Sequence, residues 1–367
     1  MIVNGLSLSN FRNYIAARLD FSAGINVLIG ENAQGKTNIL EAVRYVSLGR
    51  SHRTRNDDEL INWQNRQAHA GVDFSRRGVE NRLEFFLTRK ERPKIMVNSH
   101  PVTHGELIGS LNTVLFSPED LYLIKGAPVL RRRFLDSEIS QASPGYYREL
   151  IKYNRLLNQR NRLLKDIREK KATENLLDAW EPQLAVGAAL VVSKRLEAVD
   201  RLNRIAGEMQ KFISGTKETL EIGYNLEGKN GSISENLAAW YENELIKARE
   251  RDIWRGHTGI GPHHDDIYIM VNGVNLRSFG SQGQQRTAIL ALKLAELNFL
   301  REETGEYPVL LLDDVMSELD GDRRQKLLEF MEAETVQTLI TATDEAYLPQ
   351  NHGATVFEVR AGNAQRR

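Results

Sequence analysis

Residues 30–37 read Gly30-Glu31-Asn32-Ala33-Gln34-Gly35-Lys36-Thr37, the pattern G-x-x-x-x-G-K-T. The run Ile25-Asn26-Val27-Leu28-Ile29 leads into the first glycine as a buried strand, and Asn38-Ile39-Leu40-Glu41-Ala42-Val43 leads out as a helix. A strand, loop and helix in this order bind phosphate for a physical reason. Successive backbone N–H groups of the loop turn toward the anion, and the helix N-terminus adds its partial positive charge. Lys36 is expected to reach the outer phosphates and the Thr37 hydroxyl to bind Mg2+. Gly30, Asn32, Gly35, Lys36, Thr37 and Asn38 are the nucleotide-binding candidates of this stretch.

Outward from the loop, Val309-Leu310-Leu311-Leu312-Asp313-Asp314 is an apolar strand that delivers two carboxylates at its C-terminal end. Open α/β sheets bind their ligands at such ends. Asp313 is expected to hold Mg2+, directly or through water, and Asp314 to polarise an attacking water. Thr335 to Ile340 is another buried strand and Thr355 to Val359 a last short one. Residues 2–9 and 16–21 read as strands around the turn Phe11-Arg12-Asn13-Tyr14. Residues 68–74 and 81–88 read as strands, and 94–97 with Val102 as a hairpin turning near Asn98. Val114 to Phe116 is a strand broken at Pro118, whose polar end could sense bound nucleotide. From about 128 to 215 the texture is helical. The fold class expected is α/β, with a mixed or parallel P-loop sheet, a β-rich N-terminal lobe and a helical insertion lobe. The divisions expected are 1–127, 128–250 and 251–367.

The chain has 367 residues, enough for more than one lobe. Its 49 basic and 49 acidic residues cancel, so only local charge speaks to partners. With no cysteine there are no disulfides, cysteine nucleophiles or thiolate zinc sites, which suits a reducing cytosol. Met1-Ile2-Val3-Asn4 does not open a signal peptide, and no apolar run approaches the ~18 residues of a membrane span.

Residues 125–171 carry 13 Lys/Arg and 5 Asp/Glu, a net of +8. This is either a solvated helical face or a phosphate-contacting surface. The second reading makes Arg131, Arg132, Arg133, Lys152, Arg155, Arg160, Arg162 and Lys165 DNA-binding candidates, through phosphates rather than bases. In the same segment Leu150, Leu157 and Leu164 recur at seven, Tyr153 and Ile167 take the intervening apolar position of the repeat, and Arg160 interrupts the seam. That fits a short helical hairpin. The basic loop Ser51-His52-Arg53-Thr54-Arg55 is either solvated or touches nucleotide or nucleic acid. Ser234 is expected to cap a helix running toward Arg251. His263-His264-Asp265-Asp266 offers metal-ligand chemistry or a hydrogen-bonded turn, and Asn272-Gly273 marks a hairpin.

Ser278 to Arg286 opens a helix with Ser281 at the cap and Gln284 at the third position, capping-box spacing. The segment also looks like the signature motif of ABC-type ATPases, which touches the γ-phosphate held by a second subunit. Ser281, Gly283 and Gln284 match that motif, while Gly280 and Gln282 stand where Leu and Gly are usual. Val315 to Asp320 resembles the D-loop of that class, whose counterparts here are Ser317 and Asp320. Transporters of the class carry a switch histidine near Thr341-Ala342-Thr343-Asp344. None stands here, and Thr343 or Asp344 is the candidate substitute.

Taken with Leu8 to Tyr14, Leu115 to Leu121, Arg131 to Asp136 and Gly261 to Asp266, these strings make the whole chain resemble the RecF family. His264 stands where that family more often has Arg. The resemblance implies an ABC-type head related to SMC proteins but without their long arms. It implies ATP and Mg2+ as cofactors, an ATP-dependent two-fold homodimer, and DNA binding at duplex or at a duplex/single-strand junction. It implies slow, DNA-stimulated ATP hydrolysis by Lys36, Asp313, Asp314 and, in trans, Ser281. Asp314, a methylene shorter than the transporters' glutamate, accounts for the slowness. Arg12 and Asn13 are its adenine-contact candidates, against a structural role for that turn. RecR, RecO and RecA are the implied partners, in recombinational repair, replication and the SOS response, in the cytoplasm at the nucleoid. An ATP-gated scaffold relying on RecR for DNA contact is the alternative.

Overall fold

A computed structural model describes residues 1–215, 218–228, 236–344 and 353–367. It divides into two compact units. One is Met1–Leu121 with Met209–Lys217 and Arg286–Arg367, the other Tyr122–Glu208 with Glu218–Gln285.

The first unit contains two six-stranded sheets. The antiparallel one is built from β1 (Ile2–Phe11), β2 (Tyr14–Asp20), β4 (Gln67–Arg76), β5 (Val79–Thr88), β6 (Lys94–Val97) and β7 (His100–Val102), in the order β2-β1-β4-β5-β6-β7. The other contains β3 (Ile25–Ile29), β8 (Thr113–Phe116), β12 (Val309–Leu312), β13 (Thr338–Ala342), β14 (Thr355–Arg360) and β15 (Asn363–Arg366), in the order β15-β14-β3-β13-β12-β8. All but β15 run parallel in it. β12 and β13 are buried at every residue, as a parallel sheet covered on both faces requires. The helix Lys36–Leu48 stands between the sheets. Its Ile39, Leu40, Val43 and Val46 share one apolar core with Leu6, Leu8, Val72 and Phe85 and with Leu28, Leu311, Leu339 and Phe357. Gln337 ties the two sheets together. Its amide oxygen accepts from the Val3 N–H at 2.7 Å, and its Nε2 donates to the Val3 and Ser22 carbonyls. Val3 sits at a register shift of β1, where the ladder leaves that group free for a side chain.

The second unit is mostly helical, with Pro128–Ala142, Pro144–Arg168, Glu181–Ser214 as far as Glu208, Leu237–Lys247 and Arg249–Arg255. It also holds a small sheet, β9 (Leu220–Asn225), β10 (Asp266–Val271) and β11 (Val274–Asn275), in the order β11-β10-β9. Residues 251–285, grouped on sequence with the C-terminal half of the head, fall in this unit because β10 pairs with β9. Asn272 and Gly273, both at positive φ, make the two-residue turn between β10 and β11. The helix Leu237–Lys247 is capped by Asn236, which accepts from the Ala238 and Ala239 N–H groups, so Leu237 opens it. Ser234, the cap expected from sequence, lies outside the described residues. Among those residues no helix is long and apolar enough to cross a membrane.

Candidate nucleotide site

The C-terminal ends of β3, β12 and β13 carry the first unit's chemistry. The loop after β3 is fixed from two sides. From the β1–β2 turn, Asn13 Nδ2 donates to the Gln34 carbonyl at 2.9 Å and the Tyr14 hydroxyl to the Gly35 carbonyl at 3.1 Å. From the β14–β15 turn, the Ala361 N–H donates to Gln34 Oε1 at 2.6 Å and the Gly362 N–H to the Gln34 carbonyl at 3.1 Å. Gly35 caps the helix at φ +115°, and a Cβ there would fall 2.6 Å from Asn13 Nδ2, so only glycine fits.

Lys36 is 4% exposed and folds back on the loop, donating to the Gly30 carbonyl at 2.7 Å and the Glu31 carbonyl at 2.9 Å. Burial lowers its pKa, opposed by the Asp314 and Asp313 carboxylates. The Thr37 hydroxyl donates to Asp313 Oδ1 at 2.9 Å, and so does Thr341 from β13, at the same distance. Burial raises the Asp313 pKa, the two hydroxyls lower it, and Asp314 and Glu119 raise it. Asp314 sits at φ +54° with its N–H donated to Thr341 Oγ1 at 2.8 Å. Adjacent ligands of an octahedral Mg2+ with bonds of ~2.1 Å stand ~3.0 Å apart. The Thr37 and Asp313 oxygens have that separation and that hard-oxygen character, so they fit Mg2+, which would neutralise phosphate charge there.

Neither Thr341 nor Glu41 stands out as a site residue in the sequence. Thr341 bridges the two aspartates, its hydroxyl donating to Asp313 and accepting the Asp314 N–H. Glu41, wholly buried in the loop's helix, gathers Arg12 at 2.7 and 2.9 Å, Ser51 at 2.5 Å and Arg53 at 3.1 Å. Those three partners hold its pKa below the ordinary value against the effect of burial. Arg12 thereby braces that helix. Asn13 braces the loop and accepts from Asn38 at 2.8 Å, while Arg53 donates to Asn38 at 2.7 Å. The basic loop 51–55 is thus tied to the phosphate loop's own helix. Ser117 and Asp120, after β8, close a turn whose carboxylate pairs with buried Lys293 at 3.1 Å.

Ser281 and Gln284 form the expected capping box. The Gln284 N–H donates to Ser281 Oγ at 3.2 Å and the Ser281 N–H to Gln284 Oε1 at 3.1 Å. Ser281 faces solvent and Phe279, two residues earlier, is 78% exposed. Ser317 donates to the Asp314 carbonyl at 2.8 Å, and Asp320 caps the helix Gly321–Ala333.

Two of the eight DNA candidates are corrected. Arg131 is buried on Asp266 in a two-bonded pair at 2.7 and 2.8 Å, and Arg160 is wholly buried between Glu181 and Asp252. Charges held this way present nothing to phosphate. Arg132 is half-buried and donates to the Asp265 carbonyl at 2.6 Å. Arg133, Lys152, Arg155, Arg162 and Lys165 are exposed.

His263 to Asp266 form a hydrogen-bonded turn. Asp265 accepts from the Tyr224 hydroxyl at 2.6 Å and the Glu227 N–H at 3.0 Å. His264 Nε2 lies 3.1 Å from the Thr258 carbonyl. His263 accepts from the Tyr153 hydroxyl at Nδ1, 2.7 Å, and donates from Nε2 to the Thr258 carbonyl, 3.1 Å. Burial pushes its pKa down to about 4 from an ordinary 6.5. Between those values the unfolded chain binds more protons than the folded one, so His263 makes stability fall as pH falls through that window. His263→Gln is expected to flatten the decline of Tm between pH 6.5 and pH 4. Thermal unfolding across that range checks it, and an unchanged slope assigns the titration elsewhere.

The comparisons with known proteins follow the same lines. The model of the RecF/RecN/SMC N-terminal domain matches residues 2–365. The DNA replication and repair protein RecF of Listeria innocua is 42% identical over 370 residues, covering 100% of both chains. The chain belongs to the RecF family. RecF of Clostridium beijerinckii is 42% identical over 344 residues, 93% of this chain and 91% of that one. A solved structure described as the recombination mediator protein RecF with ATP in the RecFOR pathway superposes with TM-score 0.93 at 36% identity, covering 100% of this chain and 97% of that one. An Smc head bound to the C-terminal winged-helix domain of ScpA shares the fold, with TM-score 0.59 at 15% identity and coverage of 100% and 97%. The fold is that of the RecF and SMC-head ABC-type ATPases, as expected from the sequence.

Proposed function

We propose that ATP joins two copies of this chain into a two-fold dimer that binds DNA in replication and recombinational repair. Each ATP would lie between Lys36, Thr37 and Asp313 of one copy and Ser281, Gly283 and Gln284 of the other, with Ser317 and Asp320 nearby. The observation that carries this is the solvent-facing Ser281 box, beside exposed Phe279, in a chain whose Thr37 and Asp313 oxygens are already set for a metal–phosphate complex. The relative solved with ATP supports the choice of nucleotide. Contacts made only across the dimer make ATP shift the monomer–dimer balance. A hundredfold shift needs ~2.7 kcal/mol, within reach of a few charge-assisted hydrogen bonds. Asp314 would orient the attacking water, and its short reach makes hydrolysis a slow timer for release. DNA stimulation of that hydrolysis, and cooperation with RecR and RecO in loading RecA at single-strand gaps, complete the proposal. The RecFOR pathway named for the relative supports that last part.

Solution mass with ADP, ATP and a non-hydrolysable analogue tests it. Mass should double with ATP and with the analogue, and stay monomeric with ADP. Ser281→Arg should abolish the doubling. Asp314→Asn should prolong the ATP dimer ~100-fold, the usual weight of a general base. Normal dimerisation of Ser281→Arg would remove the trans assignment. The burial of Arg131 and Arg160 favours a second reading, an ATP-gated scaffold with RecR supplying DNA contact. DNA binding by the isolated protein with ATP would decide against it.

A further inference from the structure

The helix Arg249–Arg255 in the second unit has two contrasting sides. Asp252 points inward, wholly buried, and accepts from Arg160 at 2.8 Å and from the Gly259 N–H at 3.1 Å. That pairing fixes the rotation of the helix. Arg251, Trp254 and Arg255, spaced i, i+3 and i+4, then share the outward side. All three are exposed, and Trp254 is 76% exposed. The end of this helix lies against the basic side of Pro144–Arg168. Arg168 Nη1 donates to the Arg255 carbonyl at 3.4 Å. A side chain at Gly256 would meet the Arg168 guanidinium at 3.0 Å and the Lys165 stem at 3.2 Å. Arg162 stands three residues before Lys165 on the same helix. Among the described residues, Arg162, Lys165, Arg168, Arg251 and Arg255 take part in no ion pair. The neighbouring carboxylate of Glu169 is taken by Lys171 at 2.6 Å.

Five exposed cations, none of them in an ion pair, outnumber the carboxylates of Asp166, Glu169 and Glu250 that stand beside them in the chain, and a polyanion supplies further counter-charge. Trp254, exposed between Arg251 and Arg255 in the chain, adds a flat aromatic face. A duplex offers phosphates but hides the faces of its bases, whereas an unpaired strand offers both. We propose that this patch binds single-stranded DNA, its phosphates on the five cations and one base stacked on Trp254. The inference rests on the DNA-binding reading above and selects, for this surface, the unpaired strand.

The full-length protein with ATP is titrated with labelled oligo(dT) and, separately, with a blunt duplex. Trp254→Leu should weaken oligo(dT) binding about tenfold, the weight of one stacked base, and leave duplex binding unchanged. Oligo(dT) should quench the intrinsic fluorescence of the wild type, and the quenching should vanish in Trp254→Leu. Arg251→Glu with Arg255→Glu should lower the salt slope for oligo(dT) by ~1.4. An unaltered Kd and unaltered quenching in Trp254→Leu would overturn the proposal. If the wild type binds duplex and no oligo(dT), the patch assignment falls and the DNA reading stands. If it binds neither, the DNA reading itself falls. Trp254-dependent binding of polyglutamate in place of oligo(dT) would reassign the surface to an acidic protein.

Discussion

Lys36→Met is expected to weaken ATP binding by ~10- to 150-fold and to abolish ATP-dependent dimerisation. Lys36 supplies the loop's only side-chain cation, and its Nζ already hydrogen-bonds the two carbonyls that open the loop. Those bonds hold the ammonium at the mouth of the cradle, where an outer phosphate would arrive. A hydrogen bond from a charged donor to a charged acceptor is worth about 1.5–3 kcal/mol, which sets the range. Methionine keeps an unbranched stem, so the packing around a 4%-exposed side chain changes little. The loop itself should survive, because Asn13, Tyr14, Ala361 and Gly362 fix it without help from Lys36. Calorimetric titration with ATP measures the first effect and solution mass the second. An unchanged Tm without ligand would confirm that the loss is local. Affinity within twofold of the wild type would mean that the loop does not cradle phosphate.

The parts of the site legible in the sequence are those whose chemistry is written in adjacent letters. Gly30 to Thr37 and Asp313-Asp314 are contiguous strings, and strand–loop–helix context gives them meaning without knowledge of the fold. Ser281 and Gln284 are legible for the same reason, since a capping box spans three residues. What was not legible depends on pairings far apart in the chain. Thr341 reaches Asp313 from 28 residues away, and Arg12 reaches Glu41 from 29. Neither partner stands out locally: Glu41 reads as one more polar position on a helix, and Thr341 as the end of a strand. Charge counting over 125–171 failed at Arg131 and Arg160 because their counter-ions lie outside that segment, 135 residues onward for Arg131 and 21 and 92 for Arg160. Arg160 nevertheless carried a signal. It interrupts an apolar seam of Leu157 and Leu164, both buried, and a cation on such a seam must be neutralised from within.

That neutralisation makes Arg160 the most consequential single residue of the second unit. Its Nη1 donates to Asp252 at 2.8 Å and to the Thr258 hydroxyl at 2.8 Å, and its Nη2 to Glu181 at 2.9 Å. One guanidinium thus joins the helix Pro144–Arg168 to the starts of Glu181–Ser214 and Arg249–Arg255 and to the loop that follows. Arg160→Ala is expected to cost about 3–5 kcal/mol, because it leaves buried carboxylates without their cation and opens a cavity. The two acids are not equally exposed to the loss. Glu181 keeps Arg249 at 2.6 Å, whereas Asp252 keeps only the Gly259 N–H. Asp252→Asn in the Arg160→Ala background should therefore recover more stability than Glu181→Gln, by removing the charge that has no other partner. Urea unfolding of these three variants beside the wild type separates these terms. Recovery through Glu181→Gln alone would place the uncompensated charge at the helix start instead. A cost below ~1 kcal/mol for Arg160→Ala would mean that water reaches the network and that the buried pairing does not hold the three helices together.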